Sequence, residues 1–182
     1  MLNKLLKIID RLYCKCIKQL MYINVNTYMK LYVKYLKNNG MNFGGMPNYI
    51  SNDVYFDGKD YSIIKIGNGC TISREVLFLT HDYARHTIIK GLENMVEMEV
   101  LESLEKADKK NQLLILKGIE VGDNSFIGAR SMLLPGTKIG NNVIVGAGSV
   151  VKGNIPDNSI VFGNPAKFYD NTSFWLSKFK FD

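Results

Sequence analysis

From Val121 to Pro156, aliphatic residues recur at every sixth position: Val121, Ile127, Leu133, Ile139, Val145 and Val151. The next position is Gly in four of the six blocks. The fifth position is small or β-branched throughout, as Ser125, Ser131, Thr137, Val143, Ser149 and Ile155. A fixed short period marks a solenoid, and a period of six marks a parallel β-helix built of short strands and tight turns. The aliphatic side chain points inward and stacks on its equivalent one coil away. Gly, Asn and Asp fill the corners because corners often need φ > 0, where a Cβ is costly.

The same phase runs through Ile66-Gly-Asn-Gly-Cys-Thr, Ile72-Ser-Arg-Glu-Val-Leu and Phe78-Leu-Thr-His-Asp-Tyr. Before it, Met41 to Asp60 starts the solenoid irregularly, with Ile50, Val54 and Phe56 in or near the inward phase. Gly44-Gly45 and Asp57-Gly58 mark turns there. Cys70 takes the small fifth position and is a core residue; nothing nearby would lower its pKa for nucleophilic work. The pattern then stops. Residues 84–114 form a polar insertion rich in Glu and Lys, partly helical around Met95 to Lys106. The coil resumes near Ile115 and ends at Gly163-Asn164-Pro165. This divides the chain into a helical region (1–40), a solenoid (41–167, with its insertion) and an aromatic tail (168–182). The tail, with Phe168, Tyr169, Phe174, Trp175, Leu176 and Phe179, is expected to pack down as a helix or cap.

At the N-terminus, Leu2, Leu5, Leu6, Ile9, Leu12, Tyr13, Cys16, Ile17 and Leu20 fall at helical spacing. Lys4, Lys7, Arg11, Lys15 and Lys18 lie between them, so the segment to Met21 reads as a basic amphipathic helix. A second helix is expected over about Thr27 to Lys37, capped by Asn26 and stopped by Asn39-Gly40. The apolar faces suit packing on the solenoid end or on a neighbouring subunit. The basic face alternatively suits anionic lipid, as a peripheral membrane contact.

The formal net charge of +6 points to an anionic partner, a weak indication by itself, and no nucleic-acid ligand is expected. Length favours one domain with attachments. The odd set Cys14, Cys16 and Cys70 lacks metal-type spacing and reads as reduced thiols, consistent with a cytoplasmic protein. No apolar run reaches the roughly 18 residues that span a bilayer. Charges within the first residues argue against a secretion signal.

The repeats together with Thr80-His81-Asp82, Leu134-Pro-Gly-Thr-Lys-Ile-Gly, Val145-Gly-Ala-Gly-Ser-Val-Val and Gly163-Asn-Pro-Ala-Lys resemble the hexapeptide-repeat acyltransferases. The likeness is greatest to the O-acetyltransferases of capsular and lipopolysaccharide biosynthesis. It covers roughly Gly44 to Lys167 without the insertion. It implies a left-handed parallel β-helix, a homotrimer with sites between subunits, acetyl-CoA as donor and a glycan or activated sugar as acceptor. The hand comes from the resemblance alone, since parallel crossovers are right-handed in about 98% of cases.

The resemblance places the catalytic histidine at His81, one of only two in the chain. Acyl transfer to a hydroxyl needs a base, and an imidazole can take that proton and return it to the departing thiolate. Without the resemblance, His81 would read as a turn residue with a satisfied hydrogen bond. Asp82 is a candidate to orient it, although successive strand residues point to opposite faces; a turn role or an acceptor contact fits equally. Tyr83, Arg85 and His86, at the edge of the insertion, are candidates for contacting the acceptor. His81 and His86 also form an H-x4-H pair, but a catalytic zinc usually takes three protein ligands, and no metal is expected. Gly128, Ala129, Gly146, Ala147 and Gly148 leave backbone open for a pantetheine arm, or simply satisfy tight corners. Lys152 and Lys167 are candidates for the phosphates of coenzyme A. Two rival functions share these features: N-acetylation of an amino sugar, and a non-catalytic solenoid that serves as an interaction module.

Overall fold

The structure, a computed structural model, describes residues 2–58, 60–91, 100, 102–103, 106 and 115–179, with backbone alone at 2–4, 7, 85–86 and 89–90. Most of the helix expected around Met95 to Lys106 lies outside the described residues.

Three parallel sheets wrap one interior. The first stacks strands Asn42–Phe43, Ile64–Ile66, Ile119–Val121, Lys138–Ile139 and Asn154–Ile155. The second stacks Tyr49–Ile50, Thr71–Ile72, Phe126–Ile127, Ile144–Val145 and Ser159–Gly163, closed by the antiparallel strand Ala166–Asn171. The third stacks Tyr55–Phe56, Leu77–Phe78, Met132–Leu133 and Val150–Val151. Each turn of the coil passes once through each sheet. The two clean hexad runs are therefore adjacent coils, with Ile66, Ile72 and Phe78 paired to Val121, Ile127 and Leu133 across the insertion.

Both repeat positions are buried. The aliphatic column from Ile66 to Val151 is closed to solvent, and so are Cys70, Val76, Ser125, Ser131, Thr137, Val143 and Ser149 at the fifth position; Asp82, where the chain leaves the coil, and Ile155, in the last block, are partly open. A buried hydroxyl must find a partner. Here it lies in the adjoining coil: Ser125 Oγ donates to Gly140 O at 2.9 Å, Ser131 to Gly146 O at 3.0 Å and Thr137 to Val151 O at 3.0 Å. One corner adds a side-chain ladder. Asp123 accepts from Asn68 N, Asn141 from Asp123 N and Asp157 from Asn141 N, at 2.7–2.8 Å. Asn124, Asn142 and Asn158 beside it hold φ of 54°, 55° and 58°, a conformation asparagine tolerates better than most residues.

The N-terminal end is covered by helix α1 (Leu2–Gln19), a short 3₁₀ turn and helix α2 (Val25–Asn38). The α2 cap is Asn24 rather than Asn26. Asn24 is extended at φ −151° and its side chain accepts from Thr27 N at 2.9 Å, which starts the helix two residues early. Gly40, at φ +100°, ends it as expected. Tyr28, Tyr32 and Leu36 bury one face of α2 on the solenoid, where Tyr28 Oη donates to Ile50 O at 2.8 Å. Among the described side chains of α1 only Ile17 is buried; Leu5, Leu6, Ile9, Leu12 and Tyr13 remain exposed. At the far end the hairpin 159–171 and helix α4 (Thr172–Ser177) close the coil. α3 (Ala84–Gly91) opens the insertion.

Candidate active site

The third sheet turns into the first at one corner, and the insertion departs from there. After Phe78 the chain leaves the coil as strand His81–Asp82, which pairs antiparallel with the returning strand Ile115–Leu116. His81 is thereby held between the coil and the root of the insertion. Lys117 N donates to Thr80 O at 2.9 Å and closes the junction.

One coil below lies Asp57, only 3% exposed. One carboxylate oxygen accepts from Thr80 N at 2.7 Å and from the Thr80 hydroxyl. The other lies 2.8 Å from His81 Nδ1. In a neutral ring, a carboxylate at that distance favours the proton on Nδ1 and the lone pair on Nε2. The His81 side chain is 31% exposed, so the ring is held at its base and open at its tip. Tyr83 packs edge-on against it, with ring centroids 5.2 Å apart.

His81 lines a cavity of about 470 Å³. Leu79, Ile115, Leu134 and Pro135 form apolar walls, and Asp82, Lys117 and Lys152 supply charge. Asp82 also accepts from Ala84 N at 2.8 Å, so one of its oxygens is bound at the start of α3. The partner of the His81 ring is thus Asp57, from a segment that reads in sequence as a turn. A signal for it existed: Phe56 and Phe78 share the inward phase, and pairing them sets Asp57-Gly58 beside Leu79-Thr80.

The other candidates lie elsewhere. Ala129 and Ala147, with Gly148, line a second cavity of about 510 Å³ at the corner where the second sheet turns into the third. Arg74, Glu75 and Arg130 form its rim, and Arg130 Nε meets Glu75 at 2.7 Å. Gly146 is bare for a packing reason, since a Cβ there would come within 2.7 Å of Phe162 Cβ. Lys152 shares the His81 cavity, whereas Lys167 is exposed on the C-terminal hairpin. Arg85 and His86 fall on α3, but their side chains lie outside the described residues, and with His86 goes any test of the H-x4-H pair.

Burial pushes the Cys70 thiol up from its ordinary range, and partial burial does the same to Cys14; Cys16 is exposed. Iodoacetamide at pH 8 should alkylate Cys16 at least an order of magnitude faster than Cys70, because only thiolate reacts. Peptide mass spectrometry on the folded protein reads the order, and equal rates at Cys16 and Cys70 would contradict a sealed core.

Residues 118–153 match the family model described as "Bacterial transferase hexapeptide (six repeats)". Protein CapG of Staphylococcus aureus is 37% identical over 147 residues, 76% of this chain and 75% of that protein. Among solved structures, a galactoside acetyltransferase in complex with coenzyme A superposes with TM-score 0.57 at 20% identity, over 95% of this chain and 86% of that one. The hexapeptide-repeat acetyltransferase VCA0836 of Vibrio cholerae, complexed with acetyl-coenzyme A, gives TM-score 0.56 at 15% identity, over 90% and 87%. At such identities the structural likeness speaks for the fold, whereas the CapG match speaks for kinship. With the repeat itself, these findings make the chain a member of the hexapeptide-repeat bacterial transferases.

Proposed function

We propose that this protein transfers an acetyl group from acetyl-CoA to a sugar hydroxyl in surface-polysaccharide biosynthesis, with His81 as general base. The observation that carries the reading is the Asp57–His81 pair at the wall of an open cavity. Asp57 holds Nδ1–H, and Nε2 takes the hydroxyl proton as the sugar oxygen attacks the thioester carbonyl. The tetrahedral oxyanion is held by backbone N–H groups. Collapse breaks the carbon–sulfur bond, and the imidazolium returns its proton to the coenzyme A thiolate. Asp82 and Tyr83 border the acceptor, and Arg85 and His86 extend that border onto α3.

The donor lies along Ala129, Gly146 and Ala147, with Lys167 towards its phosphates. Both solved relatives described above carry coenzyme A or its acetyl ester in their crystals, which supports this ligand on the same scaffold. Replacing Ala147 by Tyr should cut coenzyme A affinity at least tenfold and leave circular dichroism unchanged. Calorimetric titration measures this, and unaltered affinity would place the donor elsewhere.

The coil is left-handed and three chains form a ring. Two features favour assembly. The third sheet turns Tyr55, Leu77, Met132 and Val150 outward, an apolar stripe, whereas the first turns out Lys65, Glu120 and Lys138. The His81 cavity and the Ala147 cavity also sit at opposite edges of that apolar sheet, so one chain's base can meet a neighbour's donor groove. Light scattering should give three times the chain mass; a monomer that turns over acetyl-CoA would contradict this. The protein works in the cytoplasm, with the exposed stripe of α1 and its lysines resting on anionic lipid beside a lipid-linked acceptor. Among the described residues, no helix is long and apolar enough to cross a membrane.

A further inference from the structure

Two lysines line the His81 cavity, and transfer between two neutral groups calls for neither. A hydroxyl and a thioester bring no net charge to the reacting centre, yet Lys117 and Lys152 both line the space. Among the described residues neither lysine has an ion-pair partner, unlike Lys138 and Lys178, which meet Glu120 and Asp170 at 3.0 and 2.7 Å. Among the described lining residues the one carboxylate is Asp82, and one of its oxygens accepts from Ala84 N. Lys117 is anchored. Its N–H is bonded to Thr80 O, and its aliphatic stem crosses Gly136, where a Cβ would come within 3.1 Å of Lys117 Cδ. Gly136, at φ +83°, therefore serves both the turn and the lysine above it. Three coils converge here: Lys117 from the return of the insertion, Pro135 from the next corner and Lys152 from the one after.

The phosphates of coenzyme A do not account for these lysines. The pantetheine arm separates the sulfur from the pyrophosphate, so a cation beside the reacting histidine is at the wrong end of the donor. We infer that Lys117 and Lys152 bind an oxyanion on the acceptor itself, a carboxylate or phosphate carried by the sugar near the hydroxyl that is acetylated. This rests on the acetyl-transfer reading of the same site and names its substrate class. A bound anion also joins Asp57 in offsetting the repulsion between an imidazolium and the two ammonium groups, so acceptor binding and proton removal reinforce each other. The apolar wall of Leu79, Ile115 and Pro135 is left for the uncharged face of the sugar.

The test is calorimetric titration of methyl glucuronide, glucose 1-phosphate and methyl glucoside, with and without coenzyme A. The proteins are wild type, the double variant Lys117→Gln/Lys152→Gln, and Lys65→Gln, which removes one positive charge from another face. At least one anionic probe should bind wild type tenfold or more tightly than the neutral glycoside, as charge-assisted hydrogen bonds imply. The double variant should lose that preference and Lys65→Gln keep it. Preference for the glucuronide alone identifies a uronic acceptor, and for the phosphate alone a sugar phosphate. Equal binding of the three probes, binding of none, or a preference that survives the double variant overturns the inference. Coenzyme A titrated onto the same samples separates the two readings: its binding without anion preference leaves acetyl transfer standing and removes only this inference. Anion preference without coenzyme A binding removes the acetyl-transfer reading and leaves the two lysines as an anion site with no acetyl acceptor assigned to it.

Discussion

Replacing His81 by alanine should lower turnover by roughly 10² to 10⁴, the usual scale of general base catalysis. A sugar hydroxyl is a poor nucleophile while protonated, and His81 Nε2 is the cavity's open acceptor once Asp57 has taken the Nδ1 side. Coenzyme A affinity should hardly change, because the proposed donor track lies at another corner of the coil. Assembly must be checked alongside, since a folding defect would imitate a catalytic one. A correctly assembled His81→Ala protein with near-normal turnover would remove the mechanism.

Asp57→Asn should be nearly as damaging, with a loss on the order of 10²-fold or more, for a different reason. The asparagine oxygen can still accept from Thr80 N, so the corner survives. Its amide then presents N–H to His81 Nδ1, where the carboxylate presented a lone pair. Two donors cannot face each other. The ring must move its proton to Nε2, the atom that has to receive one, and it ceases to be a base although its position is kept. Asp57 is thus a positioning residue. Its signature is a fall in kcat with little change in the acceptor KM. Steady-state kinetics on folded Asp57→Asn checks this, and wild-type kcat would show that Asp57 only supports the turn.

How legible the molecule is in its sequence depends on how local each determinant is. The coil is local: its inward residue and its small neighbour lie within one hexad, so the pattern shows Ile127 and Ser131 as core without any fold knowledge. The α2 cap is less so, because Asn24 and Asn26 are both good caps, and only backbone geometry selects the earlier one. The partner of His81 is not local at all. Asp57 stands in the irregular first coil, where the phase is broken, and looks like one half of an Asp-Gly turn. Asp82 is adjacent to His81 in sequence, yet adjacency in a strand sends side chains apart, and its carboxylate accepts from Ala84 N at the start of the next helix. The resemblance offers Lys152 for the donor phosphates, and coil stacking, which links residues far apart in sequence, sets it on the wall of the cavity that holds His81.

The central claim is that His81 drives acetyl transfer to a sugar oxygen. It is tested most directly by mass spectrometry of products formed from acetyl-CoA carrying a ¹³C-labelled acetyl group. The acceptors are a panel of neutral, uronic and phosphorylated sugars, with wild-type and His81→Ala protein run side by side. The expected result is a labelled O-acetyl sugar, released by mild base as an ester would be, that forms with wild type and falls at least a hundredfold with the variant. A base-stable amide product, or a labelled ester formed equally by both proteins, would contradict it.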